Sequence, residues 1–224
     1  MRNLPCDLSC KACPVSSKEE ILDVARRVVE EGGIEALTMR NLSNELGLAH
    51  TAIYWHVGGR EQLLNSLVDH FIDEMRAIHP TGEDPNERVC SVLRQIRTQV
   101  LAHPRLTELT NELGRGPAMS YPAQLVLAKE LTAARLVGDK AARVMRVLLY
   151  FLGGFILQEG RARRSVGTSD MWRESPHEGV EDGLAIAMTL EPDTDELFES
   201  MMKLLVDGVL PAKRKRTSRI NRQP

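Results

Sequence analysis

Aromatic residues are scarce: three tyrosines, two tryptophans and four phenylalanines make up 4% of the 224 residues. Any core must therefore rest on Leu, Val, Ile, Met and Ala. Runs that alternate apolar and polar residues are also rare. Apolar residues instead recur at three- and four-residue spacing nearly throughout, which argues against sheets and predicts an all-α protein. No uninterrupted run of about 18 uncharged apolar residues occurs, so no membrane span is expected. The N-terminus, "MRNLPCDLSCKACPVSS", has no apolar stretch of the secretory kind, and a cytoplasmic chain is expected. A Gly-rich phosphate loop, an H-E-x-x-H helix and a G-x-S-x-G elbow are all missing. The expectation is of no enzyme, with no catalytic residue, no bound metal and no cofactor.

The apolar fraction of 42% and the charged fraction of 27% are ordinary for a globular protein. The length suits one domain or two. Charge is uneven. Residues 213–224, "KRKRTSRINRQP", hold six Lys/Arg and no acid, whereas the preceding 23 basic and 31 acidic residues sum to −8. Such a tail is either disordered and solvated or a source of non-specific attraction to nucleic acid. Only four cysteines are present, and three of them, Cys6, Cys10 and Cys13, form C-x3-C-x2-C. That is the spacing of a radical-SAM iron–sulfur triad, but here it precedes an all-helical chain without barrel strands. The two readings are a tail of reduced thiols and a metal- or redox-responsive segment.

Along the chain, Ser16 or Ser17 can cap a first helix with Glu19 and Glu20 in its first turn. Ile21, Leu22, Ala25, Val28 and Val29 form its apolar face, and Gly32-Gly33 end it. Thr38 caps a short second helix, with Met39, Leu42 and Leu46 inward and Gly47 as its stop. A third short helix, about His50 to His56, ends at Gly58-Gly59. Arg60 opens a long helix running to Pro80. This order predicts a helix-turn-helix unit with flanking support. Further helices are expected near 85–102, 104–113, 120–137, 140–164 and 192–209, with 165–191 a long flexible loop. Pro122 is expected in the first turn of its helix. The 140–164 segment is apolar nearly all round and must be buried on several sides, which points to a helix–helix dimer interface. Phe151 and Phe155 are expected in that interface, with the last helix as their neighbour.

The stretch "ILDVARRVVEEGGIEALTMRNLSNELGLAHTAIYWHVGGREQLL" resembles the DNA-binding domain of the TetR family of transcriptional regulators. The carrying features are Gly32-Gly33, Thr38-Met39-Arg40, the turn Leu46-Gly47-Leu48, "IYWHV", and Arg60 to Leu64. The resemblance implies a flexible tail at 1–16, a helix-turn-helix domain at 17–79, a helical ligand-binding and dimerisation domain at 80–210, and a basic disordered tail at 211–224. It places His50, Thr51 and Ala52 at base edges, and makes Arg40 a bidentate partner for guanine. Tyr54, His56 and Arg60 are then phosphate contacts, with His56 also able to reach a base. Thr38 caps its helix at a phosphate-binding N-terminus. Ile53 and Val57 belong to the core, and Trp55 is expected to be half packed against the first helix and half facing the DNA sugar-phosphate.

Residues 17–79 carry six Lys/Arg against eleven acids, so binding to DNA must depend on the placement of a few cations. The resemblance further implies a homodimer on a palindromic double-stranded operator, released by a small-molecule effector. Candidate ligand contacts are Leu109, Glu112, Met119, Tyr150, Phe151, Phe155 and Gln158, each of which could equally be plain core packing. Tetracycline-binding members hold a magnesium–drug complex with His and Glu. Here Glu112 and Gln158 fall near two of those places, and no histidine stands at the metal ligand's. The alternative to a ligand-responsive repressor is a metal- or redox-responsive regulator working through the N-terminal cysteines.

Overall fold

The computed structural model describes residues 17–162, 168–174 and 177–210. Cys6, Cys10, Cys13 and the basic run 213–224 lie outside the described residues. Among those described there are eleven α-helices, one 3₁₀ turn and no strand, so the protein is all-α as expected. Two compact units divide at Phe71–Ile72, within the fourth helix.

In the first unit, α1 spans Lys18–Gly32 and begins with a capping box: the Ser17 hydroxyl accepts from the Glu20 amide while the Glu20 carboxylate accepts from the Ser17 amide. Its buried residues are Ile21, Leu22, Ala25, Val28 and Val29, one face at helical spacing. A 3₁₀ turn, Ile34–Ala36, leads to α2, Met39–Leu46. The Thr38 hydroxyl caps α2 by accepting from the Asn41 amide at 3.1 Å. Gly47 closes it at φ 63°, a left-handed conformation that favours glycine. Next come α3, His50–Val57, and α4, Arg60–Arg76. Ile53 and Val57 from α3 are buried, as are Leu63, Leu64, Leu67, Val68 and Phe71 from α4. Both α2 and α3 pack against α1 and against each other.

In the second unit, α5 (Pro85–Ala102) packs against α6 (Pro104–Glu112), α7 (Gly116–Ala133), α8 (Gly138–Ala162) and α11 (Thr194–Val209). Asp84 and Pro85 start α5 by side-chain capping and by a ring pre-set for the first turn. Val89, Val92 and Leu93 from α5 meet Leu127 and Leu131 of α7, Val144, Leu148 and Leu152 of α8, and Phe198, Met202 and Val206 of α11. Met75 and Ile78 join this core, which is why the division falls inside α4.

Two local expectations are corrected. The stretch 165–191 contains two short helices, α9 (Thr168–Glu174) and α10 (Asp182–Met188), the latter capped by the Glu181 carboxylate. Helix α7 starts at Gly116 with Pro117 in its first turn, so Pro122 lies inside the helix instead. Gly138–Gly160 is long and apolar enough, by length and composition, to cross a membrane, although Asp139, Lys140, Arg143, Arg146 and Glu159 interrupt it and leave no uncharged run of 18 residues.

Polar bonds also fasten α5 to its neighbours. Arg88 pairs with Glu130 of α7 at 2.6 Å, and Arg94 pairs with Glu199 of α11. Asn86 donates to Asp207 at 2.9 Å. Most consequential is Arg97, which donates to both Glu159 carboxylate oxygens of α8 at 3.0 and 2.9 Å and to Asp195 of α11 at 2.7 Å. Arg97 and Glu159 are both buried, and the guanidinium lies 4.7 Å from the centre of the Phe198 ring. Cys90 on the same helix is half-buried, and burial pushes its thiol up to about 11.

Arg97→Met should cost about 3–5 kcal/mol in urea unfolding, because it removes the two charge-assisted hydrogen bonds that Arg97 gives the buried Glu159 carboxylate. The double replacement Arg97→Met/Glu159→Leu should recover most of that loss. In a chain with Cys6, Cys10 and Cys13 changed to Ser, iodoacetamide should alkylate Cys90 far more slowly at pH 8 than it does a free thiol, the rate climbing as the pH approaches 11. A rate at pH 8 equal to that of glutathione would contradict the buried placement.

Candidate nucleic-acid interface

The helix-turn-helix residues separate into an inner and an outer set. On α3, Ile53 and Val57 are four apart and face the core. The other side of the helix presents His50, Thr51, Tyr54 and Trp55 to solvent, with Ala52 and His56 half-buried. His50 and Tyr54 stack edge to face, their ring centres 5.1 Å apart, one turn from each other on the same side. Trp55 is 89% exposed, which corrects the expectation that half of it packs against the first helix. The physical reason is helical pitch: with Ile53 and Val57 inward, the side chain midway between them has to point away. An indole left in water on a helix of eight residues is a large apolar and hydrogen-bonding surface awaiting a partner.

On α2, Thr38 engages the Asn41 amide, and Arg40 stands exposed in the first turn. The distribution of cations around it is informative. Arg26 pairs with Asp23 at 3.0 Å, Arg27 with Glu45 at 2.8 Å, and Arg76 with Asp73 at 2.5 Å. Arg40 has no such acidic partner among the described residues. In a segment with an acidic excess, that leaves its guanidinium available for a phosphate or a guanine edge.

Arg60, expected as a phosphate contact, is exposed, and its guanidinium folds back to donate to the Leu37 and Ile34 carbonyls, each at 2.9 Å. Asn41, which pattern reading passed over, donates to the Ala36 carbonyl at 3.1 Å. Gly32 is needed for space: a Cβ there would come within 2.7 Å of the Ala36 Cβ. The sequence signals for these roles were faint, being one polar residue inside a capping motif and one glycine in a pair already assigned to a helix end.

The residues proposed to line a ligand site are dispersed. Leu109 is buried, while Glu112, Gln158 and Tyr150 are exposed, Tyr150 at 77%. Met119 packs against the second core. Phe151 and Phe155 both lie against the buried Phe198, with ring centres 5.8 and 5.1 Å away. They are half-buried contacts between α8 and α11. An open depression of about 230 Å³ lies elsewhere, lined by Glu74, Ala77, Ile78, Arg94, Gln95, Thr98 and Gln99. Among the described residues no cluster of His, Cys, Asp and Glu is arranged for a metal ion.

Known proteins share this arrangement. Residues 21–67 match the family model described as "Bacterial regulatory proteins, tetR family". An HTH-type transcriptional regulator of Saccharopolyspora erythraea is 25% identical over 174 residues, covering 77% of this chain and 69% of its own. The class C tetracycline repressor protein of Escherichia coli is 29% identical over 208 residues, covering 86% of this chain and 90% of its own. ActR of Streptomyces coelicolor, solved in complex with (S)-DNPA, superposes with a TM-score of 0.59 at 24% identity, covering 88% of this chain and 98% of that one. The matched segment runs from the first buried residue of α1 to the middle of α4, so it contains the whole exposed face just described. Over residues 21–67 the chain is similar to the tetR family of bacterial regulatory proteins.

Proposed function

We propose that this chain is a cytoplasmic, non-enzymatic repressor that binds a palindromic double-stranded operator as a homodimer and is released by a small-molecule effector. The observation that carries the DNA-binding part is the outward face of α3. His50, Thr51, Tyr54 and Trp55 stand exposed on a helix whose inner face is already filled, with unpaired Arg40 on the helix before it. A helix is the element that the major groove admits, and Arg is suited to bidentate pairing with guanine. Ala52 and His56 flank this face, and Thr38 orients the N-terminus of α2 toward a phosphate.

Dimerisation is supported by a second face. Val147, Tyr150 and Leu157 on α8, and Leu197, Met201 and Leu204 on α11, are all exposed. Their steps are three and seven residues on α8 and four and three on α11, the spacing of bundle seams. Gly153, Gly154 and Gly208 leave open space among them, so a second pair of helices can approach closely. Reading successive major grooves requires two copies of α3 about 34–36 Å apart, which a two-fold pair can meet.

Effector control is supported by kinship, since ActR, of the same fold, is described in complex with (S)-DNPA. The lack of a histidine at the metal-ligand place that the resemblance implies speaks against magnesium–tetracycline as the effector. A small molecule that releases DNA must bind the DNA-free state more tightly than the DNA-bound state.

Selection of duplexes from a random pool by the full chain should yield two inverted half-sites. On the selected duplex, Arg40→Ala should weaken binding by about 1–3 kcal/mol and relax preference at one base pair. Equal weakening on selected and random DNA would show Arg40 to be a phosphate contact only. Leu204→Glu should convert the dimer to a monomer in sedimentation without loss of helical content. A variant that stays dimeric would move the interface off this face.

A further inference from the structure

The link between α1 and α2 is short, irregular and placed directly before the residues proposed to read DNA. It has no regular ladder, so its carbonyls need partners from elsewhere. Inside the link, Leu37 donates to Ile34 at 3.2 Å and Thr38 donates to Ala36 at 3.0 Å. From α2, the Asn41 side chain donates to the Ala36 carbonyl. From the first turn of α4, Arg60 reaches across 23 and 26 positions of sequence to the Leu37 and Ile34 carbonyls.

A guanidinium suits this task. Its planar fork presents Nε and Nη2 in a fixed geometry, so one side chain can hold two carbonyls at once, whereas an ammonium is a single point of donation. The inner end of Arg60 is anchored as well, because Gln62 accepts from the Gly59 amide and fixes the start of α4. The two carbonyls held by Arg60 belong to the first residue of the 3₁₀ turn and to the residue just before Thr38. Whatever holds them sets where α2 begins, and Arg40 is its second residue.

We propose that Arg60 is a positioning residue for sequence reading: it locks the 34–38 link and so aims Arg40, rather than neutralising a DNA phosphate. This rests on the DNA-binding reading above. The role differs chemically from a phosphate contact in two respects. Its contribution is independent of the ion atmosphere of DNA, and it exists in the protein without DNA.

The test uses the full chain with Arg60→Ala, Arg60→Gln and Arg60→Lys, each checked for helical content; Gln serves if the Ala variant does not fold. In the DNA-free protein, the Leu37 and Thr38 amides should exchange about tenfold faster in Arg60→Ala, while amides in α3 keep their protection. Unchanged exchange at Leu37 and Thr38 overturns the proposal. On the selected duplex, the slope of log affinity against log salt should match the parent in all three variants. Arg60→Gln, which retains a donor without charge, should keep more of the preference for selected over random DNA than Arg60→Ala. A slope lowered by about 0.9 in both neutral variants, with affinity restored by Arg60→Lys, would make Arg60 a phosphate contact and overturn the proposal. If no duplex is selected at all, the DNA-binding reading fails, while the exchange measurement still decides whether Arg60 holds the link.

Discussion

A guanidinium and a carboxylate buried together set the terms for the larger unit. Neither Arg97 nor Glu159 could lie in that interior alone, because desolvating a single charge costs several kcal/mol with no compensating attraction. Together they lie at 2.9–3.0 Å, with Phe155 and Phe198 against the guanidinium and Asp195 completing its hydrogen bonds. The pair joins α5 to α8 and α11 at one point, and a shift of one turn in any of these helices would break it. Apolar contacts tolerate sliding far better than a bidentate ion pair does. The apolar core therefore supplies the cohesion, and Arg97 fixes the register.

That register has a consequence for the surface. Once Val144, Leu148 and Leu152 are committed to the core, the 3.6-residue pitch turns Val147, Tyr150 and Leu157 outward. On α11 the same arithmetic places Phe198, Met202 and Val206 inside and Leu197, Met201 and Leu204 outside. Helices with two apolar faces and one filled core have a face left for a partner, and the proposed homodimer follows from this surplus.

The smaller unit uses the same rule on a shorter scale. Two inward residues on α3 are enough to hold it, so its remaining side chains can be chosen for recognition instead of packing. A domain with an acidic excess can still meet a polyanion, since most of its arginines are occupied by neighbouring acids or carbonyls while Arg40 is left exposed. Placement, rather than net charge, carries the reading.

The sequence alone determined the first three helices to within about a residue, with Thr38 as a cap, Ser17 as one of two candidate caps and the inward set on α1, while α4 ends at Arg76, short of the expected Pro80. These depend on interactions within about four positions, and a one-dimensional pattern contains them. It also singled out α3, whose outward face the structure leaves exposed. Tertiary structure alone decided the rest. Phe151 and Phe155 are half-buried because Phe198, more than forty positions away, lies against them. Arg60 folds back onto the 34–38 link because carbonyls 23 and 26 positions earlier lie within its reach. Trp55 stayed in water because no side chain from α1 comes to cover it. Periodicity tells which residues share a face; what that face meets depends on parts of the chain brought together only by folding.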